Sequence, residues 1–203
     1  KVSGFFRSPN TFRQVAGLVL PELVSVKQGR GERSLKFWST ACARGEEPYS
    51  IAMLLSKCLG SELLGFDVTI YATDISRRAL KEAQAGIYLP RDIEGLSPST
   101  LESYFIYHNE GYVVKADIRQ MLRFSHFDLT STEMSPFAGL DCIFCCNVLI
   151  YLQKQMQERV LGMLCDSLNT PGYLILGEVE MLTDGFCEKL ECLDSRAKIY
   201  KKK

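Results

Sequence analysis

The chain has 203 residues, enough for one ordinary domain, and its 46% hydrophobic and 24% charged residues exclude wholesale disorder. Its 24 Lys and Arg balance 24 Asp and Glu, which disfavours a protein that grips nucleic acid through a basic surface, so nucleic acid is not an expected partner. No run approaches the roughly 18 apolar residues of a membrane span, and the start at Lys1 shows neither an initiator Met nor a signal-peptide pattern, so the expectation is a fragment of a longer protein without membrane insertion.

Residues 10–27 place Phe12, Val15, Ala16, Val19, Leu20 and Leu23 at helical spacing. Asn10 or Thr11 can cap that helix, and Pro21 is expected to kink or divide it. A polar loop (28–34) leads to a short buried strand at 35–39. Beyond the loop 40–48, residues 49–59 read as a helix with Pro48 in a favoured first-turn position. A second strand, 66–73, ends at Asp74, and 75–86 is a helix with Ser76 as cap and Gly86 as stop. The stretch 87–105 reads as short helices. Residues 104–115 form a hairpin with Asn109-Glu110-Gly111 at its turn. Residues 118–129 end in another strand, and 141–151 is the most apolar strand of all. An amphipathic helix at 153–168, a turn at 170–172 and a strand at 173–180 follow, and Lys201–Lys203 reads as a solvated basic tail.

Strands alternating with helices predict an α/β fold, a mostly parallel, doubly wound sheet with right-handed crossovers and helices on both faces. Such sheets bind ligands at the carboxyl ends of strands, near the switch in strand order, which selects the loops after residues 39, 73, 127 and 146.

Eight Cys are too sparse for a disulfide scaffold, and most lie in apolar runs, so buried free thiols in a reducing compartment are expected. Cys142 and Cys145 form C-x-x-C, but on a strand they point to opposite faces. No second pair follows, and the two His, His108 and His126, are distant in sequence, so no metal is expected.

The loop 41–50 holds one Gly and two acids, and the chain has neither a P-loop nor a G-x-G-x-x-G, so neither a nucleoside triphosphate nor a dinucleotide is implied. Glu46 and Glu47 suit a ligand with a cationic or hydrogen-bond-donating part, or else complement the first turn of the helix. Asp74, closing an apolar strand, suits ribose hydroxyls, with a helix cap as the alternative. Asp128 and Leu129 combine an acceptor with an apolar wall, as an adenine requires. Asn147 interrupts an apolar run, so it binds a ligand or ties two loops together. Tyr151 reaches the same site if the chain turns helical there. Arg7 by itself reads as a surface residue packed on Phe5 or Phe6.

These segments together resemble the chemotaxis-receptor glutamate O-methyltransferases of the CheR type, which use S-adenosylmethionine. The matching pieces are FFR (5–7), WSTACARGEEPYSIAMLL (38–55), YATDISRRALKEAQAGIY (71–88), YF (104–105), RFSHFDL (123–129), IFCCNVLIYL (143–152) and PGYLILGEVE (171–180), in family order. The resemblance implies a Rossmann-like methyltransferase catalytic domain over 1–203, with a small antiparallel β-subdomain at about 104–116 and without the family's N-terminal helical domain. It implies that Glu46 or Glu47, with Glu47 favoured, meets the methionine amino group. Asp74 would hold the ribose, Asp128 and Leu129 would border the adenine, and Cys146 and Asn147 would line the cofactor pocket. Ser3 falls where the family has a cofactor-contacting Thr, while Arg7 and Tyr151 would lie near the transferring methyl and the acceptor carboxylate. Two local departures accompany this match. The family's usual C-R-N-V reads Cys145-Cys146-Asn147-Val148, and its usual G-H-S-E reads Gly177-Glu178-Val179-Glu180.

The resemblance further implies a cytoplasmic monomer that methylates glutamates in the cytoplasmic helical domain of chemotaxis receptors and leaves S-adenosylhomocysteine. A CheR-like domain that senses S-adenosylmethionine or its product without efficient catalysis, and a methyltransferase for another carboxylate, are the alternatives.

Overall fold

The structure is a computed structural model that describes residues 3–131, 134–186 and 188–203. In chain order its strands are β1 (Ser34–Ser39), β2 (Asp67–Asp74), β3 (Ile87–Tyr88), β4 (Phe105–His108), β5 (Gly111–Val114), β6 (Leu122–His126), β7 (Leu140–Cys145), β8 (Leu168–Leu176), β9 (Leu190–Asp194) and β10 (Ile199–Lys202). The helices are α1 (Pro9–Gln14), α2 (Leu20–Gly29), α3 (Glu46–Leu59), α4 (Arg77–Ala85), α5 (Pro98–Tyr104), α6 (Ala116–Arg119) and α7 (Lys154–Ser167). Seven strands form one sheet in the order β6-β2-β1-β7-β8-β10-β9, parallel except at β10, which runs antiparallel to both neighbours. The expected doubly wound α/β architecture is therefore present. A second, antiparallel sheet has the order β3-β5-β4.

Alternate residues of the central strands feed two cores. Phe37, Cys142 and Phe144 pack with Tyr49, Leu55 and Tyr173 on one side of the sheet. Trp38, Ile143 and Cys145 pack with Leu161, Leu164 and Leu174 on the other. Cys142 and Cys145 thus face opposite ways, as strand geometry requires. All six residues of β7 are buried, because helices cover both faces, and this explains why its sequence shows no polar alternation.

Several boundaries differ from the sequence expectation. The first helix begins at Pro9, with Ser8 rather than Asn10 or Thr11 at its cap position. Pro21 lies inside α2, preceded by a π-helical turn over Val15–Val19 in which Leu20 donates to the Val15 carbonyl. The wider turn accommodates the prolyl ring without ending the helix. The strand expected at 141–151 stops at Cys145, and the one expected over 173–180 stops at Leu176. The 170–172 segment is not a turn between elements but part of β8. There Leu140 pairs with Leu168 and Cys142 with Tyr173, so residues 169–172 bulge opposite Asp141. In the hairpin, Asn109 and Glu110 both have positive φ and Gly111 already pairs with His108, so the turn proper is two residues long.

The small sheet gains β3 from a stretch read as helical, β9 and the start of β10 occupy residues with no assignment from sequence, and β10 continues into the stretch read as a tail. Lys201 and Lys202 are accordingly not a solvated tail. Lys201 pairs with Glu22 of α2, and Lys202 donates to the carbonyls of Cys165 and Leu168. Among the described cysteines Cys42, Cys142, Cys145 and Cys165 are buried, as expected of most of them, while Cys58 and Cys192 are exposed. Among the described residues, no helix is long and apolar enough to cross a membrane.

Candidate active site

The strand order reverses between β1 and β7, and the chain leaves the two strands toward opposite edges of the sheet. The crevice this opens at their carboxyl ends is the general ligand position of such sheets. A cavity of about 280 Å³ lies there. Ser3, Arg7, Glu47, Asp74, Cys146, Asn147 and Tyr151 all line it, together with the apolar walls Phe12, Phe144 and Leu176.

The turn from β1 into α3 builds one wall. Thr40 donates its backbone N–H to the Phe144 carbonyl, Cys42 to the Thr73 carbonyl and Ala43 to Asp74 Oδ2. Gly45 caps α3 with φ +93°, and a Cβ there would press on Ala83, the Tyr88 hydroxyl and Tyr49. The helix therefore starts abruptly, with Glu46 and Glu47 in its first turn. The two acids then part. Glu46 is buried and accepts from Ser3 Oγ at 2.9 Å, while its carbonyl accepts from Ser50 Oγ, which in turn takes the N–H of Phe6. It anchors the N-terminal strap. Glu47 faces the cavity, and its Oε1 accepts from Ser39 Oγ at 2.7 Å. Burial pushes the Glu47 carboxyl up to about 7; nearby Glu180 adds to this, while hydrogen bonds from Ser39 and Cys146 and the charge of Arg7 oppose it.

Asp74 lines the cavity but does not cap the following helix, whose cap is Ser76 accepting from the Ala79 N–H. The oxygens of Asp74 accept from the backbone N–H groups of Ala43 and Ser76, each at 2.8 Å. Asn147 is the bend at which β7 ends, with φ +59°. The chain then closes a short 3₁₀ turn over Leu149–Tyr151, so Tyr151 returns to the cavity mouth, 79% exposed. Cys146 lies beside Glu47, and burial raises its thiol well above the ordinary range, with the negative charge of Glu47 adding to the effect.

Asp128 and Leu129 are placed apart from this group. Asp128 lies two residues beyond His126, the register partner of Asp74. Its Oδ1 accepts from the Thr130 hydroxyl and N–H, which hold its carboxyl below the usual range. Leu129 packs with Trp38 and Phe127 and borders a second depression against α7.

One functional group escaped the sequence reading. Glu180 is 2% exposed, and it accepts four backbone N–H groups. Val148 and Leu149 donate to Oε1, and Asn147 and Gly177 donate to Oε2, at 2.6–2.9 Å. The available signal was an acid closing an apolar strand.

A family profile described as "CheR methyltransferase, SAM binding domain" matches residues 1–199. The chain belongs to this family. It is 37% identical over 190 residues to a chemotaxis protein methyltransferase of Vibrio parahaemolyticus, covering 92% of this chain and 66% of that protein. A chemotaxis protein methyltransferase of Listeria innocua is 33% identical over 181 residues, covering 89% and 65% respectively. The chain thus spans just under two thirds of these relatives. Among solved structures, a TehB-like SAM-dependent methyltransferase from Corynebacterium glutamicum aligns with a TM-score of 0.48 and 14% identity, covering 96% of this chain and 93% of that one.

The cofactor of the CheR family domain is S-adenosylmethionine. The donor set fits it. A carboxyl that burial holds up to about 7 gains strongly from a cationic partner, which suits Glu47 to an ammonium group. Asp74 ends β2 at the ribose position of nucleotide-binding sheets, and Phe12, Phe144 and Leu176 supply apolar walls.

Proposed function

We propose that the chain transfers a methyl group from S-adenosylmethionine to glutamate side-chain carboxylates of chemotaxis receptors, as a cytoplasmic monomer acting on the receptors' cytoplasmic helical domain. The observation that carries this reading is a single cavity uniting Glu47 and Asp74 with Arg7 and Tyr151. The cofactor supplies a methyl group bound to a sulfonium, an electrophile that needs no further activation. Glu47 holds its ammonium group, Asp74 its ribose hydroxyls, and Cys146 and Asn147 border it. Asp128 and Leu129 stand at the carboxyl end of β6, on the side where the adenine would lie. Ser3 keeps the strap closed over the site through Glu46.

A glutamate acceptor is already ionised near neutral pH, so the protein needs no strong general base. Its task is to align an oxygen with the methyl group and exclude water. Arg7, exposed at the cavity mouth, orients the acceptor carboxylate by charge-assisted hydrogen bonds. Its exposure limits how far it stabilises the anion, which keeps the oxygen nucleophilic. Tyr151 offers a hydroxyl beside it.

Calorimetric titration with S-adenosylhomocysteine tests the pocket. Saturable one-to-one binding, weakened at least about tenfold in Asp74→Asn, is expected. Radiolabelled methyl transfer to receptor cytoplasmic fragments, released by mild base, tests the ester. Arg7→Ala is expected to lose most transfer while its S-adenosylhomocysteine affinity stays within about tenfold of wild type. Equal losses of binding and transfer would move Arg7 to the cofactor side, and base-stable label would exclude a carboxyl ester.

A further inference from the structure

One wall of the cavity belongs to no helix or strand. It is the strap 3–8 that leads into α1, and it contributes Ser3, Gly4, Arg7 and Ser8 to the lining. The two aromatic residues of the strap pack elsewhere. Phe6 stands edge-on to Phe12 of α1, with ring centroids 5.1 Å apart. Phe5 enters the small sheet, edge-on to Tyr88 of β3 at 4.8 Å and to Phe105 of β4 at 5.5 Å. Edge-on ring pairs are directional, so this socket fixes where the Phe5 ring sits as well as covering it.

The socket is firmly built. Tyr88 and Phe105 are both buried, and they pair with Tyr112 and Val114 of β5, which lies between their strands. The Tyr88 hydroxyl also donates to the Arg44 carbonyl at 2.7 Å, which ties the socket to the turn before α3. Helix α3 holds the strap at two further points. Ser3 Oγ donates to Glu46, and the Phe6 N–H donates to the buried Ser50 Oγ at 2.9 Å. Between these anchors Phe6 has φ +46°, a conformation that a bulky side chain keeps only where its surroundings impose it. The path of the strap therefore depends on its anchors, and Phe5 supplies the one to the small sheet.

We infer that Phe5 is a positioning residue of the cofactor site: seated between Tyr88 and Phe105, it holds the strap against the cavity and slows release of the bound cofactor or its product. This rests on the reading of the cavity as the cofactor site, whatever the acceptor. Phe5 is outside the lining, so it acts through the backbone it shares with Gly4 and Arg7. Among the described residues the small sheet contributes nothing to the lining either, yet through Phe5 it sets how long the cavity keeps its ligand.

The test follows displacement of a fluorescent S-adenosylhomocysteine analogue from the full chain by stopped flow. Phe5→Ala is expected to release it at least about tenfold faster than wild type. Phe5→Leu, which refills part of the socket, is expected to fall between the two. Phe105→Leu alters only the socket and is also expected to speed release. The double variant Phe5→Ala/Phe105→Leu is expected to release no faster than Phe5→Ala alone, because both changes remove the same contact. Leu190→Ala, buried in the core on the other face of the main sheet, reports what a plain loss of stability does, and its release is expected to match wild type. Urea unfolding confirms that each variant is folded. Unchanged release from Phe5→Ala and Phe5→Leu, rate increases that multiply in the double variant, or equally fast release from Leu190→Ala would overturn the inference. Failure of the wild-type chain to bind the analogue or S-adenosylhomocysteine itself would remove the cofactor reading together with it, which distinguishes the two failures.

Discussion

At the residue scale, Glu47 shows how strongly position alters chemistry. Its ordinary value is 4.5, and burial lifts it to about 7. Between those values the folded chain keeps a proton that the unfolded chain has released. The stability Glu47 contributes is therefore present below about 4.5 and is lost as pH rises through about 7. A cationic ligand favours the ionised form, so binding expels the proton. Affinity for S-adenosylhomocysteine is expected to rise from about pH 6 to about pH 8. Calorimetry near pH 6.5 in buffers of different ionisation enthalpy should register roughly one proton released per ligand, and Glu47→Gln should abolish both effects. The neighbouring acid Glu46 behaves differently although its sequence context is nearly the same. It is spent on Ser3, and no local pattern distinguishes an acid that faces a cavity from one that ties down a strap.

At the element scale, the junction of β7 and β8 leaves no room for a side chain at Gly177. A Cβ on Gly177 would lie 2.7 Å from Glu180 Oε2 and 2.9 Å from the backbone nitrogen of Asn147, and backbone cannot step aside cheaply. Gly177→Ala should cost about 2–3 kcal/mol in urea unfolding and weaken cofactor binding in the same titration, because it displaces the Asn147 bend. Helix α4 is the opposite case. Ser76 Oγ accepts the Ala79 N–H as the cap, Gly86 takes φ +64° as the stop, and both ends were legible in sequence because both devices are local. The end of β7 was not legible, since Asn147 is held by a carboxylate 33 residues away.

At the scale of the whole molecule, Asp141 ties three elements together. It is 1% exposed and accepts from Lys27 of α2 at 2.9 Å, from the Lys36 N–H of β1 and from Asn169 of β8. Asp141→Asn should lower stability by about 3 kcal/mol, read from the urea midpoint, because it leaves the buried Lys27 with Glu32 alone. Phe5 makes a second long-range link, edge-on to Tyr88 of β3 and Phe105 of β4, so the strap over the cavity also grips the small sheet. The sequence by itself determined the alternation of strands and helices, the parallel sheet, the loops that hold the ligand site and the family pattern. These follow from periodicity, caps and short motifs, all of them written locally. Only the tertiary structure decided that Glu47 rather than Glu46 enters the cavity, that Lys201 and Lys202 belong to a strand, and that Glu180 fixes the mouth. Those outcomes depend on which distant backbone groups and charges meet in a desolvated space, and no local pattern records such meetings.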